Sequence, residues 1–374
     1  MNAEPKSVAI VGLGLIGASI AEAVRKRHPG WKILGVSSPA TIKEAMALGL
    51  IDVPYEGYAQ AGKAVENSDI AVLCTPIDHI LELLELWSRE PLQLEQATVI
   101  TDVGSTKDLI CALGKKAFPS ASKGVFIGSH PMAGSEKNGI KARDGHLFEN
   151  ATWIICPDKE ASPKAERGRT EIESFAQGLG ARTYSLNPQN HDLIVAMASH
   201  LPQVLSTALA AYVGSSESLS SILEVAGGGF RDMTRLASSS FSVWEPILRT
   251  NRHNLEFILP TFRRELEALE ISLSKDGGQE FFSEGNNLRK QLSGPRKGFT
   301  APTTEILLDL EDKPGMLIKV LEPLAQKGIN VLDLEILKVR EGEEGVLMMG
   351  FRHLVEAEAA LKILAEAGHK ARLR

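Results

Sequence analysis

The feature that most constrains this chain is Gly12-Leu13-Gly14-Leu15-Ile16-Gly17, which directly follows the apolar run Val8-Ala9-Ile10-Val11 at neither a random place nor a random spacing. Gly12 allows a tight turn, Gly14 lets backbone approach a pyrophosphate, and Gly17 lets a helix pack on the strand, with the helix N-terminus facing the anion. The plain alternative is a glycine turn with no ligand. In this strand-turn-helix setting the dinucleotide reading is the expectation, with Gly12, Gly14, Leu15, Ile16 and Gly17 as cofactor contacts.

Around that turn the apolar runs VAIVG, KILGV, IAVLC, TVITDV, GVFIGS and TWIICP alternate with helical patterns. This is the rhythm of a parallel sheet with helical crossovers. After Tyr184 the texture changes: residues 191–213, 218–225 and 243–273 read as helices, with apolar residues at three- and four-residue spacing. The pattern Leu255, Ile258, Phe262, Leu266 and Leu269 makes one long apolar face, suited to a core or a subunit interface. LSGPRKGFTAP then reads as a linker. Beyond it come TEILLDL, an EDKPG turn, a helix, INVLDLEILKV, an EGEEG turn, VLMMGF and a last helix, a β-α-β-β-α order that the terminal KARLR can complete as a final strand. The expected class is α/β: a Rossmann dinucleotide-binding domain over 1–186, an all-helical substrate and dimerisation domain over 187–292, a linker over 293–302, and a βαββαβ, ferredoxin-like domain over 303–374. At 374 residues more than one core is needed, and 43% hydrophobic residues can fill them.

Charge and cysteine usage exclude several classes. A net charge of −6 argues against a surface that tracks phosphate backbones, so nucleic acid is not an expected partner. Cys74, Cys111 and Cys156 have no CxxC spacing and read as packing thiols in a reducing compartment. The N-terminus has no apolar signal segment, and no apolar stretch is read as reaching the roughly 20 residues of a membrane span. A soluble, cytoplasmic protein is expected.

In an open α/β sheet the working site lies beyond the carboxyl ends of the strands. Three segments follow strands there: Cys74-Thr75-Pro76, the run Thr101-Asp102-Val103-Gly104-Ser105-Thr106-Lys107, and the run from Gly128 to Glu136 that contains Ser129-His130-Pro131. Thr75, Pro76 and Asp102 are expected near the cofactor. The acid that the dinucleotide fingerprint places about 20 positions on is absent. The second strand ends instead in Ser37-Ser38, so NAD and NADP both remain open, with Ser37 and Ser38 as the contacts at that end. Ser105, at a helix start, and His130 make a candidate acid/base pair. Their alternatives are a helix cap and a turn histidine. Arg231 or Arg235, after Gly227-Gly228-Gly229, could hold a carboxylate in a bidentate fork; the alternative is a solvated surface arginine. His191, His200 and His253 fit no metal motif, and no metal is expected.

Taken together, GLGLIGAS, TDVGSTK, GSHPMAGSEKNG, LFENATWIICP, HDLIVAMASHLP and GGGFRDMTRLASSSFSVW resemble, in order, the blocks of the prephenate dehydrogenases of tyrosine biosynthesis. The resemblance covers nearly the whole chain. It implies that His130 deprotonates the 4-hydroxyl of prephenate, with Ser105 positioning both. It implies that Arg235 binds a substrate carboxylate, organised by Glu136 and Asp232, that Trp244 walls the pocket, and that His200 lies near the nicotinamide end; the alternative for His200 is a helix-packing histidine. The expected reaction is oxidative decarboxylation to 4-hydroxyphenylpyruvate with hydride transfer to NAD or NADP. Arg231 stands where some members carry histidine, so arogenate is the alternative substrate. Gly228 and its neighbours would line the pocket and reach a second subunit, implying a homodimer. The segment after residue 303 resembles ACT domains through Asp312-Lys313-Pro314-Gly315 and Gly328-Ile329-Asn330, which implies effector binding at Asp312, Pro314, Gly315 and Asn330, with tyrosine as the effector and phenylalanine as the alternative. An inert dimerisation module is the alternative there.

Two other readings compete. A β-hydroxyacid dehydrogenase or imine reductase needs a lysine on an early helix of the second domain, and residues 191–213 contain none. A catalytically inactive nucleotide and amino-acid sensor would not need His130, Ser105 and Arg235 together.

Overall fold

In β1 (Ser7–Val11) Val8 and Ile10 enter one apolar layer while Ala9 and Val11 enter the other, and all four are fully buried. A strand buried on both faces needs helices on both sides of its sheet. The computed structural model provides them, and it describes residues 6–134, 137–157, 162–292, 304–310, 313–338 and 345–373. The chain divides into two compact units, Met1–Ser272 and Leu273–Arg374.

In the first unit β1 is joined by β2 (Lys32–Ser37), β3 (Val53–Glu56), β4 (Ile70–Leu73), β5 (Val99–Asp102), β6 (Val125–Pro131), β7 (Thr152–Cys156) and β8 (Arg182–Ser185), in the order β3-β2-β1-β4-β5-β6-β7-β8. The helices are α1 (Leu15–Arg27), α2 (Pro39–Ala47), α3 (Ala61–Glu66), α4 (Ile77–Arg89), α5 (Asp108–Ala117) and α6 (Pro163–Gly178). One layer takes Ile20 and Val24 of α1 and Phe175 of α6; the other takes Val65 of α3, Leu84 and Trp87 of α4, and Ile110 of α5. The reversal of strand order falls between β1 and β4, which puts a crevice at their carboxyl ends.

The sheet departs from the expectation in two ways. It has eight strands rather than six, because β3 carries a proline and buries only Tyr55, and the four residues of β8 are not buried, so neither shows an apolar run. It is also not wholly parallel: β7 pairs antiparallel with β6, and β8 runs parallel with β7. Parallel neighbours need a helical crossover. Between β6 and β7 the described residues form only a short 3-10 turn, Ile140–Ala142, so the chain returns antiparallel. TWIICP reads the same in either direction, which is why periodicity could not choose.

After β8 the chain is helical as expected: α7 (Pro188–Val195), α8 (Leu201–Gly214), α9 (Leu219–Val225), α10 (Gly228–Thr234), α11 (Phe241–Thr250) and α12 (Arg252–Asp276), whose last residues from Leu273 on belong to the second unit, with a π turn over Ala196–His200 between α7 and α8. The expected single helix over 243–273 is two, divided at Asn251. Residues Pro188–Gly214 run for 27 residues and are apolar enough by length and composition to cross a membrane, which corrects the expectation that no such stretch exists. The same run carries His191, Asp192 and His200, all buried and hydrogen-bonded within the protein.

The second unit contains α13 (Gln279–Leu292), β9 (Thr304–Leu310), α14 (Met316–Gln326), β10 (Asp333–Lys338), β11 (Gly345–Phe351), α15 (Leu354–Glu366) and β12 (Ala371–Leu373). Its antiparallel sheet has the order β10-β11-β9-β12, the expected βαββαβ arrangement with KARLR supplying the last strand. Ile306, Leu308, Leu347, Met349 and Phe351 pack on Val320 and Leu324 of α14 and Leu364 of α15. The linker expected over 293–302 lies outside the described residues.

Candidate active site

The glycine turn has the geometry its spacing demands. Gly12 has φ +103°, and a Cβ there would lie 2.8 Å from the Cys74 carbonyl carbon. A Cβ on Gly17 would lie 1.9 Å from the Gly12 carbonyl oxygen. At Gly14, by contrast, a Cβ would meet nothing within 4 Å. Gly14 precedes the first turn of α1, which has no side-chain cap and no acidic residue, so its amides are available to an anion. Thr75 Oγ1, at the end of β4, is buried with no hydrogen-bond partner among the described residues. Leu15 and Ile16 open α1 directly after the turn, Ser37 ends β2, Ser38 follows it, and Pro76 precedes α4. Ser38 caps α2 by accepting from Thr41 N. An open approach at Gly14, uncapped amides and an orphaned hydroxyl together fit a dinucleotide. The missing acid has a neighbour that sequence distance hid: Glu56 on β3 is in register with Ser37.

Asp102 is a correction. It was expected to face the cofactor, but its carboxylate is fully buried and accepts from Lys107 Nζ, from Gly104 N at 2.8 Å and from Ser129 N at 3.1 Å. Lys107 is itself fully buried and also donates to Ser129 O at 2.8 Å. A buried carboxylate without such a partner is strongly unfavourable, so this side chain holds β5 to β6 and is not offered to a ligand. Ser129 Oγ donates to Asp102 O and accepts from Thr101 Oγ1 and Trp153 Nε1, which fastens the strand just before His130.

His130, near the end of β6, lies with its Nδ1 2.9 Å from Nε2 of His191. His191 Nδ1 donates to Asp192 Oδ1 at 2.8 Å. The Asp192 carboxylate also accepts from Lys107 N at 2.7 Å and Asp108 N at 2.9 Å, so it caps α5 from another helix. Asn251 Nδ2 donates to Asp192 O at 2.8 Å and to His200 Nδ1 at 3.1 Å. His200 therefore carries its proton on Nε2. It sits at the end of the π turn, a feature frequent at functional sites, with its ring edge-on to Trp244 at 5.8 Å. Burial pushes all three histidines below the ordinary value, His200 to about 4, and the nearby Lys107 ammonium adds to this at His130 and His191. The site is thus a set of neutral imidazoles, His191 and His200 buried and His130 half-buried.

Of the expected substrate-end residues, His130, His200 and Trp244 are linked through His191, Asp192 and Asn251. Ser105 lies in the turn after β5 but does not start the helix, since α5 begins at Asp108 and is capped by Asp192; His130 instead hydrogen-bonds His191. Gly228, Arg231, Asp232 and Arg235 are exposed on α10 and the turn after it. That turn docks close by, because Gln203 Nε2, one helical turn beyond His200, donates to Leu236 O at 2.8 Å. A Cβ on Gly228 would meet nothing. Glu136 lies outside the described residues, as does Asp312. In the second unit Pro314 and Gly315 form the turn into α14, Gly315 with φ +83°, and Asn330 is exposed before β10. No group of three or more metal-ligating side chains with metal geometry occurs among the described residues. Sequence reasoning gave no role to Asp192, Lys107 and Asn251 and weighed His191 only as a metal ligand; the signal available for His191 and Asp192 was the HD pair that opens the HDLIVAMASHLP block.

Comparison with known proteins gives the same outline. Residues 20–185 match the family model described as prephenate dehydrogenase, nucleotide-binding domain; residues 187–285 match prephenate dehydrogenase, dimerization domain; residues 304–367 match the ACT domain. The prephenate dehydrogenase of Bacillus subtilis is 30% identical over 357 residues, covering 94% of each chain. That of Lactococcus lactis subsp. cremoris is 31% identical over 369 residues, covering 97% of this chain and 98% of its own. The crystal structure of prephenate dehydrogenase from A. aeolicus in complex with hydroxyphenyl propionate and NAD+ superposes with a TM-score of 0.69 at 26% identity, over 78% of this chain and 100% of that one. Synechocystis arogenate dehydrogenase gives 0.65 at 28%, over 76% and 99%. The chain belongs to the prephenate dehydrogenase family and ends in an ACT domain.

Proposed function

We infer that this chain catalyses the oxidative decarboxylation of prephenate to 4-hydroxyphenylpyruvate in tyrosine biosynthesis. The observation that carries the reading is His130: a half-buried, neutral imidazole at the carboxyl end of β6, in the unit whose glycine turn fits a dinucleotide. A neutral imidazole accepts a proton, and catalysis of this kind contributes typically 10²–10⁴-fold. His130 takes the proton of the 4-hydroxyl as that carbon becomes a carbonyl. Bound nicotinamide supplies the hydride acceptor. Loss of the ring carboxylate as carbon dioxide then drives the ring to the aromatic product.

In this reading Ser105 orients the 4-hydroxyl, Arg235 holds a substrate carboxylate with Asp232 and Glu136 arranging it, and Arg231, His200, Trp244 and Gly228 complete the pocket. The cofactor contacts are Gly12, Gly14, Leu15, Ile16, Gly17, Ser37, Ser38, Thr75 and Pro76, and NAD is favoured by family habit over NADP. The protein works as a cytoplasmic homodimer, with domains over 1–186, 187–292 and 303–374, and tyrosine acts at Pro314, Gly315, Asn330 and Asp312.

The test is an assay of nicotinamide reduction that crosses prephenate and arogenate with NAD and NADP, alongside His130→Asn. The expected result is turnover of prephenate and a loss of at least about 100-fold in kcat for the variant, with cofactor affinity kept. Turnover of arogenate alone moves the substrate assignment to that compound. Cofactor binding with no turnover of either replaces the enzyme reading with the sensor.

A further inference from the structure

We infer that His191 and Asp192 are positioning residues for the proton acceptor: Asp192 fixes the tautomer of His191, and His191 fixes that of His130, so that His130 Nε2 is the lone pair offered to the substrate. The inference rests on the reading of His130 as the base.

A carboxylate can only accept, so the hydrogen between His191 Nδ1 and Asp192 Oδ1 sits on the nitrogen. Two backbone amides, Lys107 N and Asp108 N, hold that carboxylate at the N-terminus of α5 and keep it ionised. A neutral His191 with its hydrogen on Nδ1 has a lone pair on Nε2. The contact of 2.9 Å to His130 Nδ1 then requires the hydrogen to come from His130. His130 is left with Nε2 bare. When the substrate O–H bond breaks and the Nε2–H bond of His130 forms, the new imidazolium already donates through Nδ1 to His191, and the positive charge is shared toward Asp192. The groups facing this chain are Lys107, which opposes a positive charge, Asp102, whose carboxylate Lys107 engages, and His200, which Asn251 holds as a neutral donor. A pair that is oriented by a third, charged group is the general logic of an activated base.

The decisive variant is Asp192→Asn in the full-length protein. An amide with its oxygen on Asp108 N and its nitrogen toward His191 gives up the Lys107 N bond that shares Oδ1, presents hydrogens to His191, and so reverses the chain and places the hydrogen of His130 on Nε2. The expected kcat/KM at neutral pH falls at least about 100-fold, with NAD affinity unchanged. His191→Gln, whose amide oxygen can still accept, keeps more activity than His191→Leu. The direct readout is the imidazole ¹⁵N spectrum of the histidine-labelled enzyme, with His130 assigned by the signals missing in His130→Asn. The wild type is expected to show His130 protonated on Nδ1 and bare on Nε2, and Asp192→Asn the reverse. A wild-type His130 protonated on Nε2 overturns the inference even if prephenate is turned over, as does an Asp192→Asn enzyme with unchanged tautomer and rate. The readout needs no substrate. The expected tautomer in an enzyme that ignores prephenate therefore sinks the substrate assignment and supports the positioning chain.

Discussion

Gly14 and Gly17 separate two roles that a glycine motif confounds. At Gly17 the missing Cβ lets α1 approach β1, and an alanine there meets the Gly12 carbonyl at 1.9 Å, a backbone atom that cannot swing aside. Gly17→Ala is expected to cost about 1–3 kcal/mol of stability as well as cofactor affinity. At Gly14 there is open space, so Gly14→Ala should keep its melting temperature and lose only affinity, read by fluorescence titration with NAD and NADP. Equal melting temperatures for the two variants would defeat the distinction. At this scale much of the site was legible: the demands on Gly12 and Gly17 come from local backbone geometry, and both residues adopt the arrangement their spacing implies. Asp102 was misread because its strand-end position resembles that of a ligand contact, while its burial depends on Lys107 and Ser129.

The Asp102–Lys107 pair joins β5 to β6, and both side chains are fully buried. Removing one member of a buried pair leaves an uncompensated charge, which typically costs 3–5 kcal/mol. Lys107→Met should therefore lower stability by about that amount in chemical denaturation. Adding Asp102→Asn, which removes the charge and keeps an acceptor for the Gly104 and Ser129 amides, should recover part of it. If the double variant is no more stable than the single, the charge is not the cause. Elements with strong periodicity were readable, as in β1 and α4. The weak edge strands β3 and β8, the direction of β7 and the break at Asn251 were not, since each is decided by a neighbour rather than by the segment itself.

Across the whole molecule the helical part of the first unit exposes Tyr212, Val225, Phe241 and Phe257, each more than two-thirds accessible. Large exposed apolar side chains in a domain matched as a dimerization domain are candidates for an interface. For the proposed homodimer, Phe257→Glu is expected to give a monomer by light scattering at micromolar concentration; a mass equal to that of the wild type removes this face from the interface. The buried histidines set the pH response. Because His200 is held at about 4 against an ordinary value of 6.5, the unfolded chain binds its proton first as pH falls. Stability therefore rises with pH: it is lost as pH drops below about 6.5 and levels off below about 4, with His200 contributing at most about 3 kcal/mol. Melting temperatures measured from pH 8 to 4 should show this slope, and His200→Gln should flatten it; an unchanged slope in the variant assigns the effect elsewhere.

What the sequence by itself determined is whatever a short segment must satisfy alone: the glycine turn, the two apolar faces of β1, the helical periodicity after Tyr184 and the βαββαβ order of the ACT domain. What only the tertiary structure decided is which distant groups meet. His130 and His191 are 61 residues apart, and Asp192 caps α5 from 84 residues away. Hydrogen bonds at that separation depend on how strands and helices are ordered in space. The choice of tautomer at His130 follows from those bonds, and no spacing in the chain encodes it.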